Sequence, residues 1–238
     1  MKFLIAIVLA LAVFSARAIE ITAKSWLIAD SNGTVLKSEN IDQPRPIASI
    51  SKLMTVMIVL DAHQDLTENL VGMSRRERIM MALVNSDNRS ATILCTHYPK
   101  GRDACVRAMN KKAELLKMEN TKFNEPTGLS VMNISTARDL INLVLIASTY
   151  PIIVEAGHTS QVKIHVNRKW LVFRNTNPMI GYDQRIVLSK TGFIRASGGC
   201  VVMVVDTEVG RKLVILLGSK DTRTRIPEAE IIIDSPVN

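Results

Sequence analysis

The stretch "RPIASISKLMT", residues 45–55, decides how this chain is read. It sets Ser49 and Lys52 three residues apart at the start of an apolar run. From Ser49 to His63 the run has helical spacing, with Leu53, Val56, Met57 and Leu60 on one face and Ile50 and Ile58 widening it. Residues three apart on a helix share a face, so Ser49 and Lys52 point into the same cleft. A serine hydroxyl is a weak nucleophile without an adjacent base. A lysine becomes that base when burial or a neighbouring cation lowers its pKa. The free N–H groups at the helix start favour a developing oxyanion there. Alone, a Ser-x-x-Lys spacing also fits an N-capping serine beside a solvated lysine.

Two further motifs decide between these readings. "NSDNRS" holds Ser86-Asp87-Asn88 between two predicted helices, and "LSKTGF" holds Lys190-Thr191-Gly192 at the end of a predicted strand. Their chemistry is complementary. Ser86 can relay a proton between Lys52 and a leaving amine, and Asn88 offers an amide to a substrate backbone. Lys190 and Thr191 suit a substrate carboxylate, with Lys190 supplying the second cation. Gly192 lets a substrate strand approach closely. S-x-x-K, S-D-N and K-T-G in this order are the signature of class A β-lactamases and penicillin-binding proteins.

Working outward, residues 25–38 read as two strands around the turn "DSNG", and 75–97 as helices broken near Asn85. "CVRAMNKKAELLKM" (105–118) reads as an amphipathic helix with a basic outer face, and "STARDLINLVLIAS" (135–148) as another with Ser135 at its N-cap. "RIVLSKTG", "GGCVVMVVDT" and "RKLVILLGS" read as a strand meander. The expected fold class is α+β: an antiparallel sheet packed with helices, plus a helical subdomain.

"MKFLIAIVLALAVFSARA", residues 1–18, has the form of a signal peptide with cleavage after Ala18. Its apolar run is short for a bilayer span, which takes about 20 residues. We expect residues 19–238 to form one catalytic domain with no stable membrane anchor, working in the periplasm. The 30 Lys and Arg outnumber the 22 Asp and Glu; with Lys2 and Arg17 in the leader, the excess is six. There is no basic block, and aromatic residues are only 4%, which argues against nucleic-acid binding. No CxxC, HExxH or paired-His spacing occurs, so neither metal nor cofactor is expected, and the four histidines read as surface or structural. Cys95 and Cys105 flank "THYPKGRDA" and form either a disulfide or two separate buried thiols; Cys200 reads as a core residue.

From about residue 21 to 220 the chain resembles the low-molecular-mass penicillin-binding proteins of the D-Ala-D-Ala carboxypeptidase family, above all its D-alanyl-D-alanine endopeptidase branch. "PIASISKLMTVMIVLDA", "NSDNRSA", "FNEPTGLSVMNISTARDL", "FRNTN" and "SKTGFIRASGGC" carry the resemblance. It implies a β-lactamase/transpeptidase-like fold and serine acyl-enzyme chemistry on peptidoglycan stem peptides, with β-lactam antibiotics as covalent inhibitors. Carried over, Ser49 is the nucleophile and Lys52 its base. Ser86 and Asn88 form the second motif, Lys190 and Thr191 the third. The N–H groups of Ser49 and Phe193, beside Gly192, form the oxyanion hole. Ser51 receives no chemical role. Glu125 reads as structural, because Leu129 stands where the β-lactamase pattern places Asn four residues on. The alternatives are a D,D-carboxypeptidase that removes terminal D-Ala and an inactive wall-binding homologue.

Two departures from the family pattern stand out. "QDLTENLVGMSRRERI" makes the 63–79 segment shorter than usual, which opens the site, changes substrate reach, or marks an inactive relative. From the short stretch after the last predicted strand we expect no second β-domain or C-terminal amphipathic anchor, an expectation that fits the endopeptidase branch.

Overall fold

A computed structural model describes residues 21–166 and 168–236; the leader expected at 1–18 lies outside them. The chain begins with β1 (Ser25–Asp30) and β2 (Val35–Glu39), then a two-residue strand β3 (Arg45–Pro46). A 3₁₀ turn (Ala48–Ile50) leads into α1 (Ser51–Asp61), followed by α2 (Arg75–Val84), α3 (Asn88–Thr96) and α4 (Gly101–Leu115). Strand β4 (Ile134–Ser135) precedes α5 (Ala137–Ala147) and α6 (Pro151–His158). The hairpin β5 (Gln161–Val166) and β6 (Lys169–Arg174) is followed by β7 (Ile186–Ile194), β8 (Gly198–Thr207), β9 (Gly210–Ser219) and α7 (Arg225–Asp234).

Five strands form an antiparallel sheet in the order β2-β1-β9-β8-β7. The strands β8 and β9 read as unbroken apolar runs because both sheet faces are covered. On one face Cys200, Val202, Val204, Leu213, Ile215 and Leu217 pack against the helices. On the other, Val201, Met203, Val205, Val214 and Leu216 meet Ile226, Ala229, Ile232 and Ile233 of α7. Glu228 of α7 is buried and satisfied: it accepts from Thr22 N (3.0 Å), Thr22 Oγ1 (2.6 Å) and Ser219 Oγ (2.7 Å). The architecture is the α+β arrangement expected.

Several local expectations need revision. Helix α1 is buried from Ser51 to Val59 on all sides, so its apolar stripe understates its central place. Helix α4 begins at Gly101 rather than 105, because its first turn is polar and reads as loop. Ser135 belongs to β4, and the cap of α5 is Thr136, whose side chain accepts from Asp139 N. Lys190-Thr191-Gly192 lies within the nine-residue strand β7, not at its end. The elements α6, β5, β6 and α7 have no counterpart in the sequence reading. Cys95 and Cys105 form the disulfide, joining α3 to α4 with their Cα atoms 5.5 Å apart. Closing so short a loop stabilises the fold by roughly 3 kcal/mol. Cys200 is a buried free thiol.

Candidate active site

Three elements converge on one cleft: the start of α1, the α2–α3 link, and the edge strand β7. The turn that presents Ser49 is tightly held. Strand β3 pairs with β4, Arg45 with Ser135 and Pro46 with Ile134, and Ile47 N donates to Asn133 O (3.1 Å). Ala48 adopts φ 47°, a conformation a non-glycine residue takes only when its surroundings fix it. Ser51 Oγ donates to Ala48 O (2.9 Å) and accepts from Asn133 Nδ2 (3.0 Å), so Ser51 ties down the turn before Ser49. Gly128, at φ 86°, lies against the same carbonyl; a Cβ there would sit 1.9 Å from Ala48 O.

Lys52 is fully buried. Its Nζ donates to Ser49 Oγ (2.8 Å), Asn88 Oδ1 (2.7 Å) and Thr127 O (2.6 Å). Burial pushes its pKa down to about 8, although Glu125 and Asp87 pull it upward. Of the two causes the sequence allows, burial and a neighbouring cation, burial is the one that lowers it. Lys190, also buried, is the residue pushed down by cations: burial first, then Lys52 and Arg225, hold it well below the usual lysine range.

The second motif sits in the α2–α3 link. Ser86 adopts φ 61°, and Asp87 caps α3 by accepting from Ser90 N (2.7 Å). Asn88 Oδ1 is taken by Lys52, which leaves its Nδ2 hydrogens without a partner among the described residues. Ser86 Oγ accepts from Lys190 Nζ (2.9 Å), so its contact is with the third motif rather than with Lys52. Lys190 Nζ also donates to Thr191 O (2.8 Å), and the hydroxyls of Thr191 and Thr176 lie 2.6 Å apart.

Gly192 faces the start of α1. A Cβ there would lie 2.9 Å from Ser49 N and 3.0 Å from Ile47 O, so a side chain would displace the serine turn. The Gly192 carbonyl accepts from Arg225 Nη1 (2.8 Å). Across that trans peptide the N–H of Phe193 points the opposite way, away from α7.

The structure therefore brings together every residue the sequence singled out, and it adds four that no motif marked: Thr127 through its carbonyl, Asn133, Thr176 and Arg225. The first three lie in or beside segments that carry the family resemblance, while Arg225 has no sequence signal. Glu125 is consumed by its own loop: it accepts from Thr127 N, Thr127 Oγ1, Gly128 N and Asn133 Nδ2. Such a site, a serine hydroxyl bonded to a buried, depressed lysine beside an edge strand, is that of a serine acyl-transfer enzyme.

Comparison with known proteins agrees. The peptidase S11 family, D-alanyl-D-alanine carboxypeptidase, matches residues 12–72 and 66–220, and the chain belongs to this family. The two matched stretches overlap at residues 66–72, within the 63–79 segment that precedes the second motif. The chain is 42% identical over 222 residues to a D-alanyl-D-alanine endopeptidase of Escherichia coli, covering 83% of this chain and 71% of that protein. It is 43% identical over 209 residues to one of Pseudomonas aeruginosa, covering 77% and 67%. The cefotaxime-bound crystal structure of penicillin-binding protein D2 from Listeria monocytogenes superposes with a TM-score of 0.81 at 26% identity, covering 91% of this chain and 98% of that one.

Proposed function

We propose that this chain is a serine D,D-peptidase that hydrolyses crosslinks between peptidoglycan stem peptides, a D-alanyl-D-alanine endopeptidase. The observation that carries the reading is the 2.8 Å contact between Ser49 Oγ and a buried Lys52 lowered to about 8. Neutral Lys52 takes the Ser49 proton as Oγ attacks the D-alanyl carbonyl. The N–H groups of Ser49 and Phe193 hold the oxyanion. As the tetrahedral intermediate collapses, the C–N bond breaks and Ser86 protonates the leaving amine; Lys190 resupplies Ser86, and the proton Lys52 took from Ser49 passes across the cleft to Lys190, which leaves Lys52 neutral again. Water then attacks the acyl-enzyme carbonyl, Lys52 taking its proton, and as the C–Oγ bond breaks Lys52 returns that proton to Ser49 Oγ.

Asn88 Nδ2 and the edge of β7 hold the acyl-side backbone, as in strand addition to a sheet. Thr191, Thr176 and the Lys190 beneath them receive the carboxylate on the leaving residue. β-Lactams acylate Ser49 by the same attack, and the cefotaxime-bound relative supports this. The family shares its serine chemistry between endo- and carboxypeptidases; the two relatives above 40% identity support the endopeptidase branch. The Cys95–Cys105 disulfide and the leader sequence support work in the periplasm.

The test is to incubate purified crosslinked muropeptide dimers and pentapeptide monomers separately with the enzyme and follow both by mass. The dimer should be split at the D-alanyl–diaminopimelyl bond. Terminal D-Ala loss from the pentapeptide with intact dimers would assign a carboxypeptidase instead.

A further inference from the structure

The hairpin β5–β6 has two unlike faces. Val162 and Ile164 turn inward and are buried in the core. Its outer face presents Gln161, Lys163 and His165 from β5, paired with Arg174, Val172 and Trp170 from β6. Trp170 is 69% exposed and Val172 51%, and the rings of His165 and Trp170 lie 5.1 Å apart. Among the described residues nothing covers this face. From Glu155 to Asp183 the sequence holds no other acidic residue, while it holds Lys163, Arg168, Lys169 and Arg174. None of these four has a salt bridge among the described residues. An exposed aromatic platform set among unpaired cations suits a ligand that offers both flat, apolar-faced rings and carboxylates.

The hairpin also leads straight into the cleft. Arg174 O accepts from Asn85 Nδ2 (3.2 Å), next to Ser86, and Asn175 N donates to Ser160 O (2.8 Å). Two residues after Arg174 comes Thr176, whose hydroxyl meets that of Thr191. In the reading above the leaving residue's carboxylate meets Thr191 and Thr176, so a leaving group that extends past that carboxylate has the hairpin beside it. Extended chain places Arg174 within about 7 Å of Thr176, and Trp170 about 13 Å further along β6.

Resting on the endopeptidase reading, we propose that the outer face of this hairpin binds the acceptor strand of the crosslink: Arg174 and Lys163 take carboxylates of the acceptor stem peptide, and Trp170 stacks on a sugar ring of its glycan. A pentapeptide monomer ends at its terminal D-Ala and leaves this face empty, so the hairpin discriminates between crosslink and free terminus.

The experiment compares wild type with Arg174→Gln and Trp170→Ala. Each should lower kcat/KM for crosslinked disaccharide-peptide dimers about tenfold, chiefly through KM, and Arg174→Lys should recover part of the loss. The rate of acylation by a fluorescent penicillin, which has no acceptor strand, should stay within about twofold. With a sugar-free crosslinked peptide dimer, the Arg174→Gln loss should persist and the Trp170→Ala loss should vanish. Binding of the intact dimer to Ser49→Ala, read by calorimetry, separates this inference from the activity reading. Weaker binding on adding either hairpin substitution supports it even if wild type splits no dimer. Unchanged dimer binding overturns it, as does unchanged dimer binding accompanied by Trp170-dependent attachment to phosphatidylglycerol vesicles, which would assign the face to a lipid surface.

Discussion

Two loops of this molecule use the same devices to opposite ends. The 124–133 loop turns inward. Glu125 gathers its N–H groups, Asn133 ties it to Ser51, and Gly128 presses on the Ala48 carbonyl. The product is a fixed carbonyl, Thr127 O, aimed at Lys52. The 62–74 loop is also held by side chains: Arg78 donates to Leu70 O (3.1 Å) and Val71 O (2.6 Å), and Arg75 donates to Asp65 O (3.1 Å). It too contains a glycine at positive φ, Gly72 at 84°, but no atom lies within 4 Å of where its Cβ would be. The first loop is packed against the turn that presents Ser49 and against Lys52. The second closes the gap between α1 and α2. Backbone strain and side-chain ties therefore do not mark function by themselves; what they are aimed at does.

The comparison can be broken most severely at Lys52, the target of the inward loop. Lys52→Ala should slow acylation by penicillin about 10²–10⁴-fold, the usual cost of losing a positioned base. Acylation at the wild-type rate would show that another group is the base. The next largest contrast is between the two glycines. Gly128→Ala must push the Ala48 carbonyl away, so it should cost about 3 kcal/mol of stability and abolish labelling. Gly72→Ala pays only for its backbone conformation and should cost about 1 kcal/mol with labelling intact. Equal losses, measured by thermal melts and labelling, would erase the distinction between the loops.

The smallest effect is electrostatic. In the proposed mechanism neutral Lys52 is the active form, so acylation should rise with pH through about 8. Asp87 holds Lys52 upward, and Asn can replace it as the cap of α3. Asp87→Asn should therefore move that rise to lower pH by a fraction of a unit. A shift to higher pH would contradict the assigned sign.

How much of this was legible before the structure follows from distance along the chain. Ser49 and Lys52 are three residues apart and Ser86 and Asn88 two, so local geometry alone places each pair. Lys190 lies 104 residues from Ser86, and only the order of the motifs hinted that they meet. Thr127 contributes a carbonyl, which no residue type reveals. Arg225 arrives from α7, whose first turn contains Pro227 and whose buried face mixes the polar Arg225 and Glu228 with Ile226, Ala229, Ile232 and Ile233, which blurs the apolar stripe. In the hairpin β5–β6 the signal is half present: β5 alternates with Val162 and Ile164 inward, but "KWLVFR" in β6 is mostly exposed, so its apolar residues do not alternate as a half-buried strand should. The Ser135 cap was misplaced by one residue because two adjacent hydroxyl residues are equally good caps, and β4 pairing with β3 claimed the first.

The most direct test of the central claim is to label the mature protein with a fluorescent penicillin and locate the adduct by peptide mass spectrometry. One covalent adduct should form, on the peptide containing Ser49, and Ser49→Ala should take up none while melting as wild type does. Labelling that persists in Ser49→Ala, or a folded wild type that takes up no label, would contradict the account.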